Sequence, residues 1–366
     1  MRAVYRSPVG ALRVTVDAEA VFEWLSEFLA PCLEKEGDIA PGAVDVRFVI
    51  DRGAFDALEA GGAEASGDLV DCFRLDQDLV RLPRWRDGAA DVTVFDEALG
   101  AFYRRCRPGE PVEVVAAGDS ARARVAVMRV IRELTMSHLA AAGWMIVHAS
   151  AFVVDGHAVL VAGPKRAGKT TLLTYAMTTG AAQCLANDRV AIALDGTHTA
   201  WGVPTIVSLR VPMMRRFPAL ARRLQTGQYD FRLSRRELGT ARAGDVDVAP
   251  AEAWSVTPMQ YCNLVGVSLA GCAPASAVVF PRLVDDAASI DLEPMDSVES
   301  AERLADSVFR PHGGQALFAG HGKGVPASEA DLLRASQSFI GRIARYACRI
   351  GPDARNDGAW IKALAR

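Results

Sequence analysis

Two rhythms of apolar residues alternate along the chain. Residues 18–29, Ala-Glu-Ala-Val-Phe-Glu-Trp-Leu-Ser-Glu-Phe-Leu, repeat apolar side chains at helical spacing. With Asp17 just before them, they predict a helix capped by that aspartate. Val44–Ile50 alternates like a half-buried strand, Phe73–Leu82 reads as a short hairpin turning at Asp76–Asp78, and Asp91–Phe95 predicts a further strand. Gly53, Gly61, Gly62 and Gly67 mark a loop-rich middle. Phe22, Trp24 and Phe28 could wall a cofactor, but core packing is the commoner use of aromatic residues at this spacing. Ala121–Ala142 predicts one long helix, with Val125, Met128, Ile131, Leu134 and Leu139 on its apolar face. His138 near its end reads as a cap for the helix dipole rather than a ligand. A boundary near 117–120 divides the chain into an N-terminal α/β domain, 1–119, and a second domain, 120–366. The first carries no recognisable chemistry, and acceptor recognition and contact within a homo-oligomer both stand open for it.

In the second domain the apolar runs Trp144–Val154 and His157–Ala162 are joined by Asp155-Gly156, the strongest short signal for a hairpin. Thr171–Met177 predicts a helix stopped by Gly180, and Gln183–Leu194 a strand. Asp195-Gly196 reads as a turn, after which Thr199–Arg210 continues the sheet. Ala277–Leu283 predicts a strand whose Pro281 calls for an edge. Ser297–Val308 reads as a helix with Glu299 and Glu302 near its start. Ser336–Arg349 reads as an amphipathic helix that turns Phe339, Ile340, Ile343 and Tyr346 inward. Trp360 and Ile361 predict a docked tail.

Between the hairpin and the helix lies Gly163-Pro164-Lys165-Arg166-Ala167-Gly168-Lys169-Thr170, followed by Thr171. It matches G-x-x-x-x-G-K-[ST], the phosphate-cradling P-loop. The glycines let backbone N–H groups turn inward onto phosphate oxygens, Lys169 would reach the β- and γ-phosphates, and the Thr170 hydroxyl would ligate Mg²⁺. A plain glycine turn before a helix could carry the same letters. The preceding apolar strand and the following helix favour the phosphate reading. Asp188 is the first carboxylate after the loop and is a second candidate for holding the metal.

Val147-His-Ala-Ser150, the hairpin, the Gly163 loop, Leu185-Ala-Asn-Asp-Arg189 and Gly202-Val-Pro204 together resemble the catalytic domain of the HPr serine kinase/phosphorylase family. That family shares a nucleotide-binding core with phosphoenolpyruvate carboxykinase. The resemblance covers roughly residues 120–310 and is dense between Val147 and Arg210. It implies a mixed, largely antiparallel sheet around the loop, ATP and Mg²⁺ as cofactors, and transfer of the γ-phosphoryl group to a hydroxyl. It also implies that His148 faces the phosphate site, although a histidine among apolar residues is more often a core residue. The family carries an aspartate where this chain has Asn187, whose amide can orient a hydroxyl but cannot take its proton. A downstream loop supplies a catalytic arginine, for which Arg232 is the candidate, with Arg310 as another. Arg189 could pair with a phosphate oxygen or brace its strand.

Composition narrows the partners. Lys plus Arg number 41 against 44 acidic residues, a net charge of −3, which does not point to nucleic acid. The exception is 210–236, where Arg210, Arg215, Arg216, Arg222, Arg223, Arg232, Arg235 and Arg236 stand with only Asp230 against them. That run is either a solvated face or a segment that clamps an anionic acceptor. Half of the residues (50%) are apolar, enough for a sizeable core. The seven cysteines show no C-x-x-C spacing, so neither a zinc site nor a disulfide framework is indicated, and reduced thiols in the cytoplasm are the expectation. The longest apolar tract, around Leu139–Val154, is broken by His148 and shorter than a membrane span. The expectation is therefore an ATP-dependent kinase acting on a peptide, protein or natural-product hydroxyl. A small-molecule kinase and a nucleotide-binding regulatory module without chemistry are the rival readings. Nothing in the chain selects the acceptor, or ATP over GTP.

Overall fold

A computed structural model gives the fold, and it describes residues 1–37, 42–62, 68–75, 78–85, 92–105, 110–226, 253–285, 287–309, 328–352, 354 and 358–364. The chain divides into two compact units, the first built on Met1–Ala142 and the second opening at Gly143. Both are α/β with large mixed sheets.

The first unit begins with β1 (Arg2–Arg6) and β2 (Ala11–Val16), followed by α1 (Glu19–Leu29) and β3 (Glu34–Glu36). Then come β4 (Val44–Ile50), α2 (Arg52–Gly62), β5 (Asp68–Leu75), β6 (Asp78–Trp85), β7 (Val92–Asp96), β8 (Ala101–Arg105), β9 (Val112–Ala116) and α3 (Ala121–Ala141). Its sheet runs β3-β1-β2-β4-β9-β8-β7-β6-β5, parallel at β2–β4 and β4–β9 and antiparallel elsewhere. Phe22, Trp24 and Phe28 are buried on α1, with Trp24 stacked on Phe28 at 5.3 Å, so they serve the core. The cap of α1 falls on Ala18 without a side-chain hydrogen bond, not on Asp17. Gly53, Gly61 and Gly62 lie within α2 rather than in a loop. The Asp51 carboxylate accepts from Ala54 N at 3.0 Å, and Phe55 packs edge-on to Phe102 at 4.9 Å. A cap and a buried aromatic therefore outweigh about 1 kcal/mol of glycine penalty per position.

Helix α3 packs with α1 and on β4 and β9, so the helix expected to open the second domain belongs to the first unit. Ser120 caps it, accepting from Ala123 N at 3.1 Å. The Arg129 guanidinium meets the Asp96 carboxylate at 2.9 Å, with both side chains 4% exposed. Asp96 also accepts from Tyr103 Oη at 3.3 Å and from Leu99 N at 3.2 Å. Such extra bonds are what a buried ion pair needs to offset desolvation. His138 differs from its expected role as a dipole cap: burial lowers its pKa, and Nδ1 is buried without a hydrogen-bond partner. A neutral ring has no charge to offer the dipole.

The second unit contains β10 (Met145–Val147), β11 (Ala149–Val154), β12 (His157–Ala162), α4 (Lys169–Thr178), β13 (Gln183–Ala186), β14 (Val190–Ile192) and β15 (Thr199–Gly202). It continues through β16 (Val207–Arg210), α5 (Val211–Met214), α6 (Pro218–Thr226), β17 (Ala253–Val256), α7 (Pro258–Val265) and β18 (Cys272–Leu283). It ends with β19 (Ile290–Pro294), α8 (Ser297–Ala305), α9 (Glu329–Ile340), β20 (Ala344–Ile350) and α10 (Ala359–Leu364). The main sheet runs β10-β14-β15-β18-β12-β11-β13, with β20 beside β18 and β19 beside β20, while β16 and β17 form a separate ribbon. Among the described residues, the β12–β18 and β18–β20 pairings of this sheet are parallel and its other strand pairings antiparallel.

The expected hairpin forms: β11 pairs antiparallel with β12 from Ala149↔Ala162 to Val154↔His157, and Asp155 (φ +49°) and Gly156 (φ +78°) make its turn. Two positive φ angles in a two-residue loop match the twist of the flanking strands. Two expected strands are each broken in two. The run 144–154 breaks at His148, where β10 leaves to pair with β14 while β11 pairs with β12 and β13. The run 183–194 breaks at Asn187-Asp188-Arg189. There β13 pairs with β11, while β14 pairs with β10 and β15.

The expected helix 336–349 also divides. It ends at Ile340, and 344–350 becomes β20, held between β18 and β19. Two ladders of backbone hydrogen bonds override the helical spacing of Ile343 and Tyr346. Pro281 lies in β18 past its last pairing with β12 at Val279, where only β20 remains as neighbour. Trp360 of α10 is buried against Phe152 at 6.0 Å, which gives the docked tail. No helix among the described residues is long and apolar enough to cross a membrane.

Candidate functional site

The Gly163–Thr170 loop leaves the carboxyl end of β12, which lies beside the parallel strand β18. Gly163 (φ +146°), Arg166 (φ +69°) and Gly168 (φ +108°) carry left-handed backbone angles, so the loop doubles back before α4 begins at Lys169. A Cβ on Gly168 would come within 3.0 Å of Leu283, so both the angle and the space at this position call for glycine. Lys169 is 8% exposed, and its Nζ donates to Gly163 O at 2.7 Å and Pro164 O at 3.1 Å. Pro164, Lys165 and Arg166 are exposed, Ala167 and Thr170 are half-buried, and Thr171 is buried. Beneath the helix, Thr174 Oγ1 donates to Thr170 O at 2.7 Å and lies 2.5 Å from the hydroxyl of the fully buried Tyr261. Thr174 has one proton to give, so Tyr261 is the donor in that second bond.

The two strand breaks bring His148 and Asp188 together. His148 Nε2 lies 3.2 Å from Asp188 Oδ1, and an Arg189 nitrogen lies 3.4 Å from Oδ2. Arg189 is buried at 4% exposed, while the Asp188 side chain keeps 32% of its surface. Burial raises the Asp188 carboxyl pKa, but the Arg189 guanidinium, the hydrogen bond and charge of His148, and the Lys169 ammonium outweigh it. The net direction is well below the ordinary carboxylate range, so Asp188 is an anion at neutral pH.

Asn187 is turned elsewhere. Its backbone O accepts from Ser150 Oγ at 2.6 Å, its Oδ1 accepts from Thr205 Oγ1 at 3.0 Å, and its Nδ2 donates to Ile206 O at 3.4 Å. These bonds pin the bend that aims Asp188. Ser150 and Thr205 were not singled out in the sequence, although Ser150 ends the quoted His148 motif. Phe309, stacked on His148 at 5.6 Å, was also missed. Arg232 and Arg310 lie outside the described residues. Of the arginines that open the basic run, Arg216 donates to Gly351 O and Arg223 donates to Leu264 O at 3.0 Å, so both brace packing.

The donor set suits a hard cation and an anionic ligand. Magnesium commonly takes one or two carboxylates and keeps several waters, and the ionised, part-exposed Asp188 carboxylate supplies such oxygens. No cluster of three or more His, Cys, Asp or Glu that could hold a metal by protein ligands alone occurs among the described residues. Compared with known proteins, the chain matches no family model, and no curated protein matches it significantly.

Proposed function

We propose that the second unit is an ATP-dependent phosphotransferase of the HPr serine kinase-like kind. The observation that carries this reading is the part-exposed Asp188 carboxylate held by His148 at 3.2 Å and Arg189 at 3.4 Å, in the same unit as the Gly163–Thr170 loop. Phosphoryl transfer asks a protein mainly for positioning and charge neutralisation. In this reading, backbone N–H groups of the loop and of the first turn of α4 bind the phosphates. Lys169 moves from the Gly163 and Pro164 carbonyls to the β- and γ-phosphate oxygens. Asp188 and Thr170 hold Mg²⁺, which when bound neutralises charge on the phosphates and aligns them.

His148, whose Nε2–H donates to the Asp188 carboxylate, takes the proton of the acceptor hydroxyl on its other ring nitrogen. Asn187 has no such role, since its amide is tied to Thr205 and Ile206. Arg189 braces the site through Asp188. The acceptor is a hydroxyl on a peptide, a protein or a small molecule.

The test is mass spectrometry of the products formed when the protein and γ-labelled ATP are incubated with cell extract. A phosphorylated peptide, protein or metabolite supports the kinase and separates its acceptor classes. One observation favours the rival reading of a binding module: the engaged Asn187 leaves His148 to take the proton without a second carboxylate. Tight nucleotide binding with no transfer to any acceptor or to water establishes that module instead.

A further inference from the structure

Phe309 has no part in the proposed chemistry, yet the site converges on it. Residues 307–309 run along β10 on the side opposite β14: Val147 bridges Val308, His148 N donates to Ser307 O at 2.7 Å, and Phe309 N donates to Ile146 O at 2.8 Å. On the other side, Val147 pairs with Val190. These two pairings fix Phe309, His148 and Arg189 in one register. The His148 imidazole lies nearly parallel to the Phe309 ring, with centroids 5.6 Å apart and planes 19° from each other. The Arg189 guanidinium lies over the same ring at 4.7 Å. Phe309 is 8% exposed.

Both groups that contact Asp188 therefore rest against one buried aromatic ring. Neither is held firmly without it. Among the described residues, His148 has one side-chain bond, at 3.2 Å, and Arg189 meets the carboxylate at 3.4 Å while its Nε is buried without a hydrogen-bond partner. Charge-assisted bonds of full strength are shorter, about 2.7–2.9 Å. A ring face attracts a guanidinium electrostatically, and stacking sets the plane of an imidazole that could otherwise turn about its terminal torsion.

We propose that Phe309 is a positioning residue, whose ring sets the planes of His148 and Arg189 and so aims them at the two oxygens of Asp188. Its kinetic consequence rests on the phosphotransferase reading; its structural consequence does not. The test uses full-length Phe309→Leu and Phe309→Met, which keep apolar volume without a ring face, and Phe309→Tyr, which keeps the ring. The expected result is a kcat lowered by roughly 10- to 100-fold in the Leu and Met variants, as misplacement of catalytic groups by a fraction of an ångström produces. Their KM for MgATP stays within about threefold of the parent, and the Tyr variant recovers to within about threefold. If Leu or Met matches the parent, or Tyr is as slow as they are, the ring only fills space and the proposal is wrong. If the parent transfers no phosphoryl group, the phosphotransferase reading has failed, and the ¹⁵N–¹H spectrum of the His148 imidazole decides. A changed Nε2 signal in the Leu and Met variants with a parent-like signal in Tyr upholds the positioning role. A parent-like signal in all three overturns it.

Discussion

Replacing Asp188 by Asn removes one charge and almost no volume. Two contacts change, at 3.2 Å to His148 and at 3.4 Å to Arg189. Arg189 is 4% exposed, so its guanidinium is left in the interior facing an amide. Breaking a fully buried ion pair by removing one partner costs about 3–5 kcal/mol. Two features reduce that figure here. The carboxylate is 32% exposed, so solvent already shares its charge, and the amide oxygen still accepts from one neighbour. The expected loss is about 1–3 kcal/mol of unfolding free energy, the range for removing a charged hydrogen-bond partner.

The pH dependence gives this prediction its sign. Because the folded-state pKa of Asp188 is depressed, its contribution is present above the ordinary carboxylate value, about 3.9 in an unfolded chain, and is lost as pH falls through the lower folded value. Urea unfolding should therefore show a parent–variant gap at neutral pH that narrows as pH drops below about 4. The variant should also lose Mg²⁺-dependent nucleotide binding in calorimetry, since one carboxylate serves the metal and, through it, the phosphates. A parent–variant gap that holds constant into acid would refute the electrostatic account of Asp188, and full retention of metal dependence would leave the residue a structural role only.

Three further outcomes are expected. Lys169→Ala should lower transfer by at least about 100-fold, because one preorganised charge facing the transition state is removed, while losing the Gly163 and Pro164 bonds costs only about 1 kcal/mol of stability; unchanged turnover with an unchanged melting curve would sink the kinase proposal. Asp96→Ala should destabilise the first unit by about 3 kcal/mol, since it takes a buried carboxylate from Arg129 and an acceptor from Tyr103 and Leu99, and a loss of only a few tenths of a kcal/mol in urea unfolding would contradict the buried-pair argument. Burial, and secondarily Asp291, pushes the Cys348 thiol up to about 12, so at pH 8 a thiol reagent should modify the exposed Cys272 and spare Cys348 until the protein unfolds, read by peptide mass spectrometry. The associated stability is present below about pH 9 and is lost as pH rises toward about 12, so Cys348→Ala should flatten the alkaline limb of the unfolding curve.

Local chemistry was legible where one short segment decides the outcome alone. Asp155-Gly156 dictates a turn because both positions need positive φ, and the hairpin follows with the register that a two-residue turn sets. The Gly163–Thr170 loop was equally readable, because the left-handed backbone at Gly163 and Gly168 favours glycine. The apolar faces of α1 and α3 announced themselves by spacing.

Other features belong to the tertiary structure because their cause lies far along the chain. β20 is a strand since β18 and β19 hold it from both sides, although its own letters fit a helix. The breaks at His148 and at Asn187–Arg189 look like ordinary positions in apolar runs until the strands on either side take different partners. The site shows the division most plainly. Sequence named His148, Asp188 and Lys169 singly, from a motif and its neighbours. The meeting of His148 with Asp188, the turning of Asn187 onto Thr205 and the seating of His148 and Arg189 on Phe309 depend on strand pairings that join residues far apart in sequence, which no local pattern of side chains encodes.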